Sequence, residues 1–247
     1  KKLHQLKTKY INTPRFQETS IDILGNTLKV PDAPSIIWQY KDIFIDQIYK
    51  FKSKNIAPII LDVGANVGLS VIFFSRLYPN SKITAIEADQ TVFKYLEYNL
   101  KTYEINNCSL INKAAWINND GVTFSAEGGD GGSIYANENK SLIPSIKLAD
   151  IISNHPMVDM LKIDIEGAEY DVILDCKDVL EKVHHLFIEY HSWKNKDQKL
   201  SEILAILEQN NFRYYISGVS NKHHPFICDD KSSMDLQINI FAINQRY

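Results

Sequence analysis

The sequence predicts an α/β fold: a mostly parallel sheet of seven strands with helices on both faces, preceded by a small N-terminal extension. Three observations carry this. From Pro58 onward, short apolar runs alternate with amphipathic stretches, the pattern of repeated strand–helix units. The runs are continuously apolar, as strands buried on both faces require. The 247 residues, 45% hydrophobic and 23% charged, suffice for one large domain with an ordinary core.

Taken in order, residues 1–20 are polar and Lys-rich and carry no clear period. Residues 20–24 and 27–30 flank Gly25-Asn26, a short hairpin signal. Pro31 and Pro34 then break the chain. Ile36, Ile37, Tyr40, Phe44, Ile48 and Phe51 recur at helical spacing and predict a helix over 36–51. Its sequence fits a cover over an acceptor site and a homodimer contact equally well. The extension is 1–56 and the main domain 57–247. Strands are predicted over 59–63, 82–87, 109–114, 158–164, 186–190, 212–217 and 236–243. Helices are predicted over 69–78 (stopped by Pro79), 91–103, from Gly167, and over 200–207. Between 118 and 147, weak β signals at 122–124 and 146–148 flank a Gly-, Asp- and Asn-rich stretch. There, residues 127–133 carry the glycines a lid needs for hinges.

Composition excludes several classes. A net charge of −3 argues against a basic nucleic-acid binder, so no nucleic-acid partner is expected. No apolar run has the length of a membrane span. Cys108, Cys176 and Cys228 are few, odd in number and far apart. They make no disulfide framework, and a reducing, cytoplasmic location is the expectation.

In such sheets ligands bind outside the C-terminal ends of the strands. The predicted strands deliver Asp62, Glu87, Asn112 with Ala114, Asp164, and Glu189 with His191 to that edge. Asp62 precedes a turn in which Gly64 and Gly68 have the spacing G-x-x-x-G. This is not the G-x-G-x-x-G of dinucleotide folds. A carboxylate at the turn repels a pyrophosphate and attracts a cation, which weakens a nicotinamide-dependent oxidoreductase as the alternative. Glu87, closing the second strand, can accept hydrogen bonds from both hydroxyls of a ribose. An acidic turn and a ribose-binding acid describe a site for S-adenosylmethionine, whose ammonium and sulfonium want negative neighbours.

Four segments resemble the FkbM family of class I methyltransferases: Asp62-Val63-Gly64-Ala65-Asn66-Val67-Gly68, Ala85-Ile86-Glu87-Ala88-Asp89, Leu161-Lys162-Ile163-Asp164-Ile165-Glu166-Gly167-Ala168-Glu169, and Ile188-Glu189-Tyr190-His191. The resemblance covers about 58–215. Ala88 departs from a proline often found there in the family. The resemblance implies a Rossmann-like methyltransferase sandwich and S-adenosylmethionine as donor. It also implies a hydroxyl acceptor on a sugar, glycan or natural product. The expected cofactor-binding set is Asp62, Gly64, Asn66, Gly68, Ser70, Glu87, Ala88, Ala114 and Asp164.

A neutral hydroxyl must lose its proton to attack a methyl group. Asp164 and Glu166 stand two apart at one strand end, and Glu189 and His191 two apart at another. The catalytic set is therefore His191, Asp164 and Glu189, with His191 as general base because imidazole titrates near neutrality. A divalent ion such as Mg²⁺ on Asp164, Glu189 and His191 is a competing reading that the sequence does not favour. Glu169 fits either the site or the start of the following helix. Lys162 reads as a structural ion-pair partner pointing away from Asp164's neighbours. His184 and His185 open their strand at the wrong edge. Trp193 suits a sugar ring or the core. His223, His224 and Cys228 lack a second ligand pair and make a weak metal motif. A non-catalytic module retaining the fold is the remaining alternative.

Overall fold

The computed structural model describes residues 1–125, 140–219, 226–227 and 233–247. The Gly-rich residues 127–133 and the motif residues His223, His224 and Cys228 lie outside these. The N-terminal part is α1 (Lys2–Tyr10), the hairpin β1 (Thr19–Ile23) and β2 (Asn26–Val30), α2 (Ala33–Tyr40) and a π-helical turn, Lys41–Ile45. Next come β3 (Ile59–Val63), α3 (Leu69–Leu77), β4 (Lys82–Ile86), α4 (Gln90–Thr102) and β5 (Cys108–Ile111). Four short strands follow: β6 (Ala114–Trp116), β7 (Val122–Ser125), β8 (Lys140–Ile143) and β9 (Ser145–Lys147). The remainder is α5 (Leu148–Ser153), β10 (Val158–Ile163), α6 (Glu169–Cys176), β11 (Val183–Trp193), α7 (Leu200–Gln209), β12 (Phe212–Gly218) and β13 (Met234–Asn244).

The main sheet has seven strands in the order β12-β13-β11-β10-β3-β4-β5. From β11 to β5 every neighbour is parallel, and β13 runs antiparallel between β11 and β12. The register places Ile111, Ile86, Val63, Ile163, Ile188 and Ile240 abreast in one apolar row. On the parallel strands the next residue out is Asn112, Glu87, Gly64, Asp164 or Glu189. Asn239, on the reversed β13, pairs with Glu189. Strand pairing thus lines up a polar edge directly above an aliphatic row.

Two apolar clusters sandwich the sheet. One joins α3 and α4 to the extension, bringing Leu6, Ile21, Leu28 and Ile36 against Phe74 and Leu96. The other packs α5, α6 and α7 through Ile152, Val172, Ile173, Ile203 and Leu207. All six residues of β10 are buried, as expected of the central strand. The extension is stapled polarly as well. Asn99 of α4, fully buried, accepts from Lys29 N and donates to the carbonyls of Lys29 and Val67, each at 2.9 Å. Tyr103 donates to the carbonyl of Ile23 at 2.7 Å.

Three local expectations change. Residues 2–10 form a helix, although only Leu6 and Tyr10 are buried on it, too few to write a period. The predicted helix over 36–51 ends at Ile45, and Gln47 adopts a left-handed φ of 53°. This frees Tyr49 and Phe51 to pack their rings on Phe187 and Tyr78. The strand predicted over 109–114 ends at Ile111, because the Asn112 amide turns back to donate to the Glu87 carbonyl at 2.9 Å. Ala114 instead opens β6, which pairs with β9. Among the described residues no helix is long and apolar enough to cross a membrane.

Candidate active site

A cavity of about 470 Å³ opens at the polar edge of the sheet. One end is lined by Gly64, Ala65, Asn66, Ser70, Glu87, Ala88, Asp89, Ala114 and Ala115. Asp164, Glu166 and Glu189 line its middle, and Trp38, Asp42, Tyr49, Gln237 and Asn239 the far end.

The turn after β3 is shaped by its contacts. Gly64 has φ +80°, and a Cβ there would stand 1.8 Å from the carbonyl oxygen of Asp164. Only glycine lets the two loops meet so closely. Gly68 (φ +94°) is pressed against Leu96, where a Cβ would come within 2.8 Å of Cδ1. Gly68 does not line the cavity, and neither does Asp62, which is fully buried. Asp62 accepts from the Ser70 hydroxyl and pairs with Lys162 Nζ at 3.1 Å. The cation that Asp62 attracts is therefore the chain's own lysine. Lys162 also donates to the Gly64 carbonyl at 2.7 Å and stands 3.8 Å from Asp164. It lines the cavity floor on the same side of the strand as Asp164, since residues two apart on a strand share a face. The expected ion-pair role is found, on the same side of the strand as Asp164.

Glu87 leaves β4 into the cavity, where its carboxylate accepts from the backbone N–H of Asn66 and of Asp89, both at 2.9 Å. Burial raises its pKa to about 7 against those two donors. Asn66 itself has φ 49°, a strained backbone that turns its N–H onto the carboxylate.

The carboxylates converge on His191 without freeing it. His191 Nδ1 lies 3.0 Å from Glu169 Oε1, and both side chains are fully buried. Nε2 lies 3.8 Å from Glu166 and 3.7 Å from Glu189. Burial opposes the imidazolium, but the charges of Glu169 and Glu166 outweigh it and hold its pKa well above 6.5. His191 does not line the cavity. The expected general base is thus buried beside Glu169 and lies outside the cavity lining. Glu169 also accepts from the N–H of Gly167 at 3.0 Å and of Ile165 at 3.3 Å, so it ties the 164–168 loop to β11. Glu166, in that loop, has a left-handed φ of 54°.

Asp164 and Glu189 do reach the cavity. Burial, then the Glu189 charge, raises Asp164 to about 7. Burial acts the same way on Glu189, but the neighbouring His191, 3.7 Å away, and the hydrogen bond from Gln237 Nε2, at 2.5 Å, keep it below its ordinary value. Ligand atoms of Asp164, Glu166 and His191 lie within 4.8 Å of one another, so the group that could hold a cation includes Glu166 where Glu189 was expected. Trp193, His184 and His185 do not line the cavity.

Sequence reasoning missed Tyr49, Trp38, Gln237 and Asn239. The first two lie in the segment 36–51 expected as one helix: Trp38 is on α2, and Tyr49 follows the turn at Gln47. The other two lie on β13, whose alternation marks an ordinary strand.

Comparison with known proteins agrees with this geometry. The family model described as the Methyltransferase FkbM domain matches residues 62–214. The chain is similar to Methyltransferase 1 of Beauveria bassiana, 25% identical over 54% of this chain and 64% of that protein, just under two thirds of its length. It is similar to 2-O-methyltransferase NoeI of Sinorhizobium fredii, 26% identical over 59% of this chain and 66% of that protein. Among solved structures, Methyltransferase FkbM from Methylobacillus flagellatus superposes with a TM-score of 0.53 at 16% identity, covering 82% of this chain and 47% of that one. The M. jannaschii TYW2 protein, solved in complex with AdoMet, gives 0.51 at 15% identity over 93% and 86%. These two likenesses carry the fold alone. A match over most of the chain, through the very segments that line the cavity, makes this protein a member of the FkbM methyltransferase family.

Proposed function

We propose that the protein transfers a methyl group from S-adenosylmethionine to a hydroxyl oxygen of a sugar, glycan or natural-product acceptor. The observation that carries this is the spacing of acids along one cavity: Glu87 at one end, Asp164 and Glu189 in the middle. Glu87, held by two backbone N–H groups, keeps oxygen lone pairs for a ribose diol. Gly64, Asn66, Ser70, Ala88 and Ala114 line the same end, which is open enough to take a nucleoside. When bound, S-adenosylmethionine supplies an electrophilic methyl group on a good leaving group.

The chain's own work is to hold the acceptor and take its proton. Asp164 reaches the cavity and is poised near neutrality, the range in which a carboxylate acts as a base. Glu189, kept ionised by His191 and Gln237, orients the hydroxyl. His191 and Glu169 position both carboxylates without touching the acceptor. Lys162 offsets the charge of Asp62 and Asp164. Support for an oxygen acceptor also comes from the name of the Sinorhizobium relative, a 2-O-methyltransferase.

Asp164, Glu166 and His191 are the residues that would take a divalent ion. The transfer is read as proceeding without one.

The test is calorimetric titration with S-adenosylhomocysteine, with NAD as control, followed by labelled methyl transfer to hydroxyl acceptors. Binding of the nucleoside alone supports the reading. Binding of NAD alone turns it toward an oxidoreductase. Nucleoside binding without transfer to any hydroxyl leaves a non-catalytic module.

A further inference from the structure

The net charge of −3 is unevenly shared along the chain. Residues 1–56 hold ten Lys and Arg against five Asp and Glu, a charge of +5. Residues 57–247 hold 17 against 25, a charge of −8. Such asymmetry within one chain points to an anionic surface as the partner of its basic part. The cavity opens beside that part, because Ser35 and the half-exposed Trp38 of α2 line it.

Two exposed aromatic residues stand at this rim, each with a cation. Lys7 Nζ of α1 lies 4.0 Å from the ring centroid of Trp38. Among the described residues Lys7 pairs with no carboxylate, so its charge is available. Phe16 is 56% exposed, and the Arg15 guanidinium carbon lies 5.3 Å from its ring centroid. Arg15 also donates to Ser35 Oγ at 3.3 Å. Ser35 and Trp38 are three apart on α2 and therefore neighbours, so the two pairs belong to one surface. Phe16 further adopts a left-handed φ of 58°, which a bulky residue takes only at a cost. Folding gains little from a strained ring left mostly in water, and its apolar area is free for a partner.

Cations beside exposed aromatic rings are the composition of segments that lie on anionic bilayers. The charges attract the surface, and the rings enter the headgroup region. A soluble polyanion needs only the charges, and a long one meets repulsion from the acidic main domain. A bilayer is planar and touches one side of the molecule, so it takes the basic face and leaves the acidic domain in water.

We propose that the N-terminal extension docks on an anionic lipid bilayer through Lys7, Arg15, Phe16 and Trp38, with the mouth of the cavity turned toward the headgroups. This goes beyond the methyl-transfer reading and does not depend on it.

Vesicle flotation of the full chain tests it, with vesicles of phosphatidylcholine and phosphatidylglycerol at about 7:3 against phosphatidylcholine alone. The protein floats with the anionic vesicles and not with the neutral ones, and high salt releases it. Lys7→Glu weakens the partition by about tenfold or more, since it reverses a charge at the surface. Phe16→Asn weakens it by about fivefold through lost apolar burial, and asparagine tolerates the left-handed backbone there. Neither residue lines the cavity, so S-adenosylhomocysteine affinity stays within about twofold in both variants and reports that they fold. Absence of flotation, equal flotation with both lipids, or flotation that survives both substitutions overturns the docking. Retention on a sulfated resin without flotation assigns the surface to a soluble polyanion and overturns it too. Flotation by a chain that does not bind S-adenosylhomocysteine supports the docking and counts against the methyltransferase reading alone.

Discussion

His191 Nδ1 and Glu169 Oε1 stand 3.0 Å apart with both side chains closed to solvent, and the same carboxylate accepts two backbone N–H groups of the loop that carries Glu166. The pair locks the end of β11 to the start of α6. Its energetics follow from the sign of the shift. The folded His191 pKa lies above its unfolded value of about 6.5, so its contribution is fully present below that pH and is lost as pH rises through the folded value. Thermal melts from pH 6 to 10 will show stability falling on the alkaline side, and His191→Gln will flatten that limb. Glu169→Gln breaks the pair one-sidedly and costs about 3–5 kcal/mol.

Cofactor affinity will depend on pH through Glu87. Ribose hydroxyls donate to the ionised carboxylate, whose pKa in the free protein is about 7. Below that value a proton must leave first, so affinity falls about tenfold per pH unit, and above it affinity levels off. Calorimetric titrations with S-adenosylhomocysteine from pH 5.5 to 8.5 measure this. Glu87→Ala removes the slope and weakens binding by well over about tenfold.

The rate of transfer will rise through pH of about 7, where Asp164 ionises. Asp164→Asn abolishes that limb and lowers kcat by about 10²–10⁴-fold. A pH–rate profile with any acceptor turned over in the labelled assay checks both. In excess EDTA the wild-type rate stays unchanged. A loss restored by Mg²⁺ or Mn²⁺ would instead assign a cation to the Asp164, Glu166 and His191 cluster.

Much of this was legible in the sequence, and the boundary has physical causes. The seven strands and their polar exits follow from apolar runs, because burial on both faces leaves little choice of residue. Glu87 and Asp164 could be placed at the cavity because each stands directly after a strand. His191 could not be judged this way. Its chemistry depends on Glu169, which lies 22 positions away in sequence and meets it only because β10 and β11 pair in register. Asp62 misled for the same reason, its partner Lys162 being on a neighbouring strand. Residues 2–10 lacked a readable period because two buried side chains anchor the whole helix.

Asn99 offers a stability test. Asn99→Ala deletes three hydrogen bonds between α4, the hairpin and the β3 turn and strands buried backbone groups. The expected cost is about 2–4 kcal/mol, read as a lowered midpoint in urea. S-adenosylhomocysteine will raise that midpoint, because the ligand binds only the folded turn.

The Gly64–Asp164 approach makes the two loops mechanically one piece. No side chain fits between them, and Asp164 N donates to the Val63 carbonyl at 3.0 Å just behind the contact. A shift of the turn after β3 therefore displaces Asp164, and whatever fixes one fixes the other. Such coupling is reciprocal: an acceptor that engages Asp164 tightens the hold on the donor by the same factor that the donor tightens the hold on the acceptor. Under the proposed reaction, mutual reinforcement between the two substrates, in either order of binding, is thus the consequence of a glycine.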